Sequence, residues 1–164
     1  MYSHLFETDD YTTVFATEND ILVAFATFDY LSDICTLYLN GIIVHRDFQG
    51  HQISKQMIAT AIRHHDTPEF LVARTHNPRM FETLAAFAFS DQRFYPNQQG
   101  EIPSYIWDIV KKCPLIVNAD SRLIIKNAYP DEKTSQTTRN YCGANAIFQE
   151  LEERDACAIV AHVR

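Results

Sequence analysis

Apolar and polar positions alternate over two short stretches near the start of the chain. Residues 11–17 (YTTVFAT) and 21–30 (ILVAFATFDY) are rich in β-branched and aromatic side chains, and Glu18-Asn19-Asp20 lies between them. That pattern predicts two strands joined as a hairpin. Residues 36–44 (TLYLNGIIV) read as a third strand, with Gly41 inside it. A glycine within a strand marks a bulge or a close backbone approach. The period then changes. Ile53, Met57, Ile58, Ala61 and Ile62 recur at helical spacing up to His65, and Pro68 blocks continuation. Residues 70–75 (FLVART) form another apolar strand. Asn77-Pro78 then starts a helix, because Asn caps well and Pro fits the first helical position. Met80, Phe81, Leu84, Ala85 and Phe87 continue it.

Strand, strand, strand, helix, strand, helix is an α/β order, with a crossover helix between parallel strands. The last third is less periodic. Residues 103–112 place Ile106, Ile109 and Val110 on one helical face, with Ile102 just ahead, and Trp107 with Tyr105, Ile106 and Ile109 reads as core. Residues 123–129 and 156–163 read as strands, residues 130–143 as a long polar loop, and QELEERD (149–155) as a solvated helix end or turn.

Composition narrows the class. At 164 residues, 46% apolar and 21% charged, the chain is expected to form one domain with a real core. A net charge of −7 would repel a phosphate backbone, so no nucleic acid is expected as a partner. Cys35, Cys113, Cys142 and Cys157 form no paired motif, which fits free thiols in a reducing cytoplasm. The acidic start MYSHLFETDD has no long apolar run, so neither a signal peptide nor a membrane anchor is expected. The histidines 45, 51, 64, 65 and 76 lack metal-ligand spacing, and no metal is expected.

The candidate chemistry sits in IVHRDFQGHQISKQMI (43–58). A strand ends, Gly50 permits unusual dihedrals, and a helix begins whose first backbone N–H groups and dipole attract phosphate. This stretch, followed by LVARTHNPRMFETLAAFAF (71–89), resembles the acetyl-CoA-binding core of the GNAT superfamily of N-acetyltransferases. Gln49-Gly50-His51-Gln52-Ile53-Ser54 stands on the family's phosphate-binding motif, and the resemblance spans residues 21–89. It implies a mixed, largely antiparallel twisted sheet of roughly six strands with flanking helices and a splay between two central parallel strands.

The resemblance also implies acetyl-CoA as cosubstrate. Its pyrophosphate would lie on the backbone amides of Gln49, Gly50, His51, Gln52, Ile53 and Ser54. Its pantetheine arm would pair with Ile42, Ile43 and Val44 and bond Asn77. An amine of a small molecule or peptide would attack the thioester. Departures from the family are specific. Gln52 stands at the central glycine, where its side chain would crowd the pyrophosphate or, if the local dihedrals were those of the first helical turn, turn outward. Ser54 stands at the usual Gly or Ala, and Leu84 where the family often places a tyrosine that protonates the departing thiolate. Tyr95 and Tyr38 are the candidates to replace that acid, with His45 as a proton relay and Asp29 or Asp33 as a base. Arg74 and Arg79 are candidates for the adenosine 3′-phosphate. Only residues 1–10 precede Tyr11, so the first strand and two helices of the family are nearly absent, and a second subunit in a homodimer could complete that side. The alternative function is a non-catalytic acyl-CoA-binding or regulatory module.

Overall fold

The computed structural model describes residues 2–7, 11–65, 68–97, 101–129 and 145–164. The polar loop expected over 130–143 lies outside them. The chain divides into two units, Met1–Glu69 and Phe70–Arg164, each described by itself.

The first unit is a four-stranded antiparallel meander: β1 (Tyr2–Glu7), β2 (Thr12–Glu18), β3 (Ile21–Leu31) and β4 (Thr36–Val44). β1 was not expected; residues 2–7 do form a strand, paired from Tyr2 with Thr17 to Glu7 with Thr12. The β2–β3 hairpin closes through Asn19 and Asp20 at φ 50° and 63°. Both angles are left-handed, as a two-residue hairpin turn that matches strand twist requires, and Asn and Asp tolerate them.

β4 contains the bulge that Gly41 foretold. Thr27 pairs with Gly41 and Phe28 with Leu39, so Asn40 is the extra residue. That one residue resets the alternation. Leu37 and Leu39 before it, and Ile42 and Val44 after it, share the face of Tyr30, Phe28, Ala26 and Ala24 on β3. A β-added carbon at Gly41 would meet nothing within 4 Å, so the bulge, and not a close approach, is the reason for glycine here. Helix α1 (Ile53–His64) buries Ile53, Met57, Ile58 and Ala61 and lies on the face where Val14, Ala16, Ala24, Ala26 and Phe28 are buried. Its C-terminal end is pinned there. His65 stacks on Tyr30 with ring centres 4.6 Å apart, and its Nε2 lies 3.0 Å from the Thr12 hydroxyl.

The second unit centres on β8 (Ala156–His162), whose residues from Ala156 to Ala161 are all fully buried. β5 (Phe70–Thr75) pairs along one edge, from Phe70–His162 to Thr75–Cys157. β6 (Phe94–Tyr95) and β7 (Ile124–Ile125) share the other edge, and all these pairings are antiparallel. Helices occupy both faces. α2 (Pro78–Ala85) sends Phe81 against Phe94, on the side of Leu71 and Ala161. α3 (Ser104–Lys112) sends Tyr105 against Phe70, on the side of Val72, Val160 and Tyr95. The fold is thus α/β with largely antiparallel strands and flanking helices. No helix among the described residues is long and apolar enough to cross a membrane.

Three expectations change in detail. α2 stops at Ala85 instead of Phe87, because the chain turns to bond Phe89 N–H to His162 O at the end of β8. The strand expected over 123–129 shrinks to two residues. After Ile125 the chain leaves the ladder, with Asn127 at φ 51°. Finally, QELEERD is not wholly solvated. After the short helix α4 (Asn145–Gln149), Asp155 is buried. It accepts Lys126 Nζ at 2.6 Å and the backbone N–H groups of Glu152 and Asn127 at 3.1 and 3.2 Å.

Burial alone would push the Asp155 carboxyl up, but the bonds from Lys126 and the two amides hold it below the usual carboxylate value. A depressed folded-state value stabilises the fold above the unfolded value of about 4 and is lost as pH falls through the folded one. Asp155→Ala is therefore expected to lower stability by about 1–3 kcal/mol at pH 7, since it removes the charged acceptor shared by Lys126 and two backbone amides. The deficit should shrink on acidification below pH ~4 in thermal unfolding. An equal deficit at pH 7 and at pH 3 would rule out the charged carboxylate as the cause.

Candidate functional site

In the first unit the site begins where β4 ends. The His45 N–H still bonds Val23 O at 2.8 Å, continuing the ladder one residue past the strand. A short 3-10 turn, Arg46–Phe48, follows, with the His45 ring accepting the Asp47 N–H through Nδ1 at 3.4 Å. His45 is exposed, and its ring edge meets Phe48. The residue proposed as a relay thus also caps this turn. Gln49 folds its side chain back, donating from Nε2 to Val44 O at 3.2 Å. The chain is thereby held close to the strand end.

Gly50 has φ +87°, and a β-carbon there would meet no atom within 4 Å. Gln52 is the helix N-cap at φ 61°, ψ 18°. It lies outside the first helical turn, so the condition of helical dihedrals at this position is not met. Gln52 itself takes the left-handed conformation that glycine favours, at a steric cost of about 1 kcal/mol. Its side chain makes no capping bond and is exposed. The helix's own bonds begin with Gln56 N–H to Gln52 O at 3.1 Å. The amides of Ile53, Ser54 and Lys55 precede it and have no acceptor within the helix. Around this turn His51 is exposed and Ser54 half-buried, with Ile53 anchored in the core. Ile43 on β4 is 60% exposed, while Ile42 and Val44 are half-buried. Tyr38 is fully buried in the same strand, opposite Asp29. Asp29 lies within β3, not at its end, and Asp33 lies in the short turn Ser32–Ile34.

In the second unit, Asn77 caps α2 by accepting Arg79 N–H through Oδ1 at 2.9 Å. Its own N–H bonds the Thr75 hydroxyl at 3.0 Å. The side-chain oxygen is thus committed to the helix, and the side-chain NH₂ keeps the donors a carbonyl ligand needs. Leu84 is fully buried in α2, so the family's tyrosine position is filled by core. Arg74 has a structural task. Its Nη1 donates to Leu115 O and Ala128 O, and its guanidinium lies 5.0 Å from the centre of the Tyr129 ring. Among the described residues, no three His, Cys, Asp or Glu side chains gather as a metal site.

Tyr95 is 6% exposed, on β6 opposite Val160. Its hydroxyl lies 3.4 Å from that of Tyr105, which is 43% exposed. Burial first, and then the bond to Tyr105, push the Tyr95 hydroxyl up to about 12. Tyr105 had read as core together with Trp107. Only Ile106, Ile109 and Val110 of α3 are buried, and Tyr105 instead reaches across to Phe70 and Tyr95. No local signal in the sequence pairs residue 95 with residue 105. The contact depends on which face of the sheet α3 takes.

A sequence model of the Acetyltransferase (GNAT) family matches residues 1–100. Three solved structures resemble the chain in fold. The ribosomal-protein-S18-alanine N-acetyltransferase of Escherichia coli is 12% identical, with 96% of this chain and 72% of that one covered and a TM-score of 0.51. An IAA acetyltransferase from Bacillus cereus is 11% identical over 92% and 77%, at 0.52. A GNAT-family acetyltransferase from Elizabethkingia anophelis, solved with acetyl-CoA bound, is 14% identical over 93% and 76%, at 0.51. No curated protein gives a significant sequence match.

Proposed function

This chain belongs to the acetyltransferase (GNAT) family, and on that premise we propose that it transfers acetyl from acetyl-CoA to a primary amine of a small molecule or peptide in the cytoplasm. One observation supports this above the others. The turn after β4 holds Gly50 and Gln52 in left-handed backbone, and it leaves the amides of Ile53, Ser54 and Lys55 ahead of the first helical bond. Those groups and the helix dipole suit a pyrophosphate. Gln52 does not close the bed in this reading, because it supplies glycine's conformation and its side chain is exposed.

The roles follow. Gln49, Gly50, His51, Gln52, Ile53 and Ser54 cradle the pyrophosphate. Ile42, Ile43 and Val44 offer backbone to the pantetheine arm, and the Val44 amide polarises the thioester carbonyl. Asn77 donates to a pantetheine carbonyl. The amine attacks the carbonyl carbon, the C–S bond breaks, and Tyr95 gives its proton to the thiolate. Tyr95 is preferred to Tyr38 because an acid must be recharged in each turnover, and Tyr38 is fully buried. The chain's net charge of −7 favours a cationic acceptor. A second subunit in a homodimer would wall the acceptor side.

The second reading is a binding module without turnover, favoured by Leu84 buried where the family often has its acid. A thermal shift separates the possibilities. CoA and acetyl-CoA should raise the unfolding midpoint saturably, by several degrees at 100 times Kd, where the stabilisation is about 2.7 kcal/mol. Turnover with any amine of a broad panel then selects the enzyme over the module. No shift at millimolar ligand defeats both.

A further inference from the structure

The proton that Tyr95 gives away has to be replaced, and Tyr95 is 6% exposed. The route lies on α3. Tyr105 is the second residue of that helix, whose position is fixed by buried Ile106, Ile109 and Val110. Its ring leans on Phe70 at 6.3 Å, and Phe70 in turn stacks on His162 at 4.7 Å. With its ring tilted against Phe70, the Tyr105 hydroxyl lies 3.4 Å from that of Tyr95, while 43% of Tyr105 remains in solvent. We propose that Tyr105 is a positioning residue that reloads Tyr95 with a proton from water. The inference rests on the acetyl-transfer reading above.

The protons balance. In the resting protein the two hydroxyls face each other, and either can donate to the other. When the C–S bond breaks, Tyr95 gives its proton to the CoA sulfur and becomes a phenolate. The Tyr105 O–H rotates and donates to that phenolate, and the proton crosses. Water restores Tyr105, and the acceptor nitrogen releases one proton to solvent, so no net proton is consumed. The resting distance is long for an O–H···O bond between neutral groups. It shortens when one oxygen carries charge, at the moment when transfer is needed.

The first test needs no acceptor. The Tyr95 ionisation is followed by tyrosinate absorbance in the wild type and in Tyr105→Phe, with Tyr95→Phe to identify it. Removing the Tyr105 hydroxyl takes away one of the causes that hold Tyr95 up, so its ionisation should move down from about 12. An unmoved Tyr95 ionisation would overturn the pairing. The second test is release of CoA thiol with the fastest amine of the panel. Tyr105→Phe should lower kcat about tenfold, less than the 10²–10⁴ expected of the acid itself, with KM for acetyl-CoA unchanged. Added imidazole buffer, a small proton donor, should restore kcat in Tyr105→Phe and do nothing for Tyr95→Phe. If Tyr95→Phe is slow and Tyr105→Phe is as fast as the wild type, the relay is wrong and the acetyl-transfer reading stands. If the wild type turns over no amine, the relay falls with that reading, while a lowered Tyr95 ionisation in Tyr105→Phe would still establish the pair.

Discussion

Gly50→Glu is expected to abolish CoA binding while far-UV circular dichroism stays native. Gly50 sits at φ +87° in the turn that follows β4, and open space surrounds the position a β-carbon would take. A glutamate there would meet no protein atom at that carbon, so the fold pays only the backbone strain of a side chain at positive φ, about 1–2 kcal/mol. Its carboxylate would stand in the field meant for the pyrophosphate. Two like charges 4 Å apart near a surface repel by about 4 kcal/mol, and each 1.4 kcal/mol is tenfold in Kd. A loss of at least about 100-fold is therefore expected by calorimetric titration. Gly50→Ala is the control. It adds the strain without the charge, so it should lower the thermal midpoint slightly and leave Kd within a few fold. Wild-type affinity in Gly50→Glu would sink the assignment of this turn to the phosphates.

Tyr95→Phe is expected to lower kcat by about 10²–10⁴ with KM for acetyl-CoA nearly unchanged, the signature of a group that acts only in the transition state. Stability should drop by no more than about 1 kcal/mol, because the hydroxyl makes one long bond to Tyr105. The pH profile carries a second expectation. An acid works while protonated, and Tyr95 is pushed up to about 12 by burial and by Tyr105. Loss of this acid should therefore not depress kcat on the alkaline side near pH 10, where an ordinary tyrosine would titrate. Undiminished kcat in Tyr95→Phe would show that the thiolate leaves unaided or takes its proton elsewhere.

Much of this molecule is legible along the chain. The Asn19-Asp20 hairpin, the glycine-marked bulge in β4, the span of α1 and the Asn77-Pro78 start of α2 each follow from local rules. Turn dihedrals, side-chain period and capping act over a few residues, and the sequence states them directly. The turn holding Gly50 was equally plain, since a strand end, a glycine and a helical period lie within a dozen residues.

Gln52 marks the limit of such reading. Its identity suggests helix, yet the chain places it in left-handed backbone just ahead of α1. Gln49 is bonded back to Val44 O, and Ile53 is anchored in the core. With both sides held, the dihedrals of the residue between them are set by closure of the turn more than by its own preference. β1 was missed because residues 2–7 gain their strand from pairing with β2, a contact between segments that neither sequence declares alone.

The same reason separates the residues whose roles were misread. Arg74, Asp155 and Tyr105 look like surface or core by type. Tertiary contacts make Arg74 a clamp on residues 115 and 128, Asp155 a buried acceptor for three donors, and Tyr105 the partner of Tyr95. The sequence by itself determined the order of elements from β2 to α2, the glycine-marked turn ahead of α1 and the family resemblance, because these rest on short-range chemistry. Only the tertiary structure decided which polar side chains meet, because that depends on which face of a sheet each helix covers. Such a choice is made by the burial of many apolar groups together, and no single residue carries it.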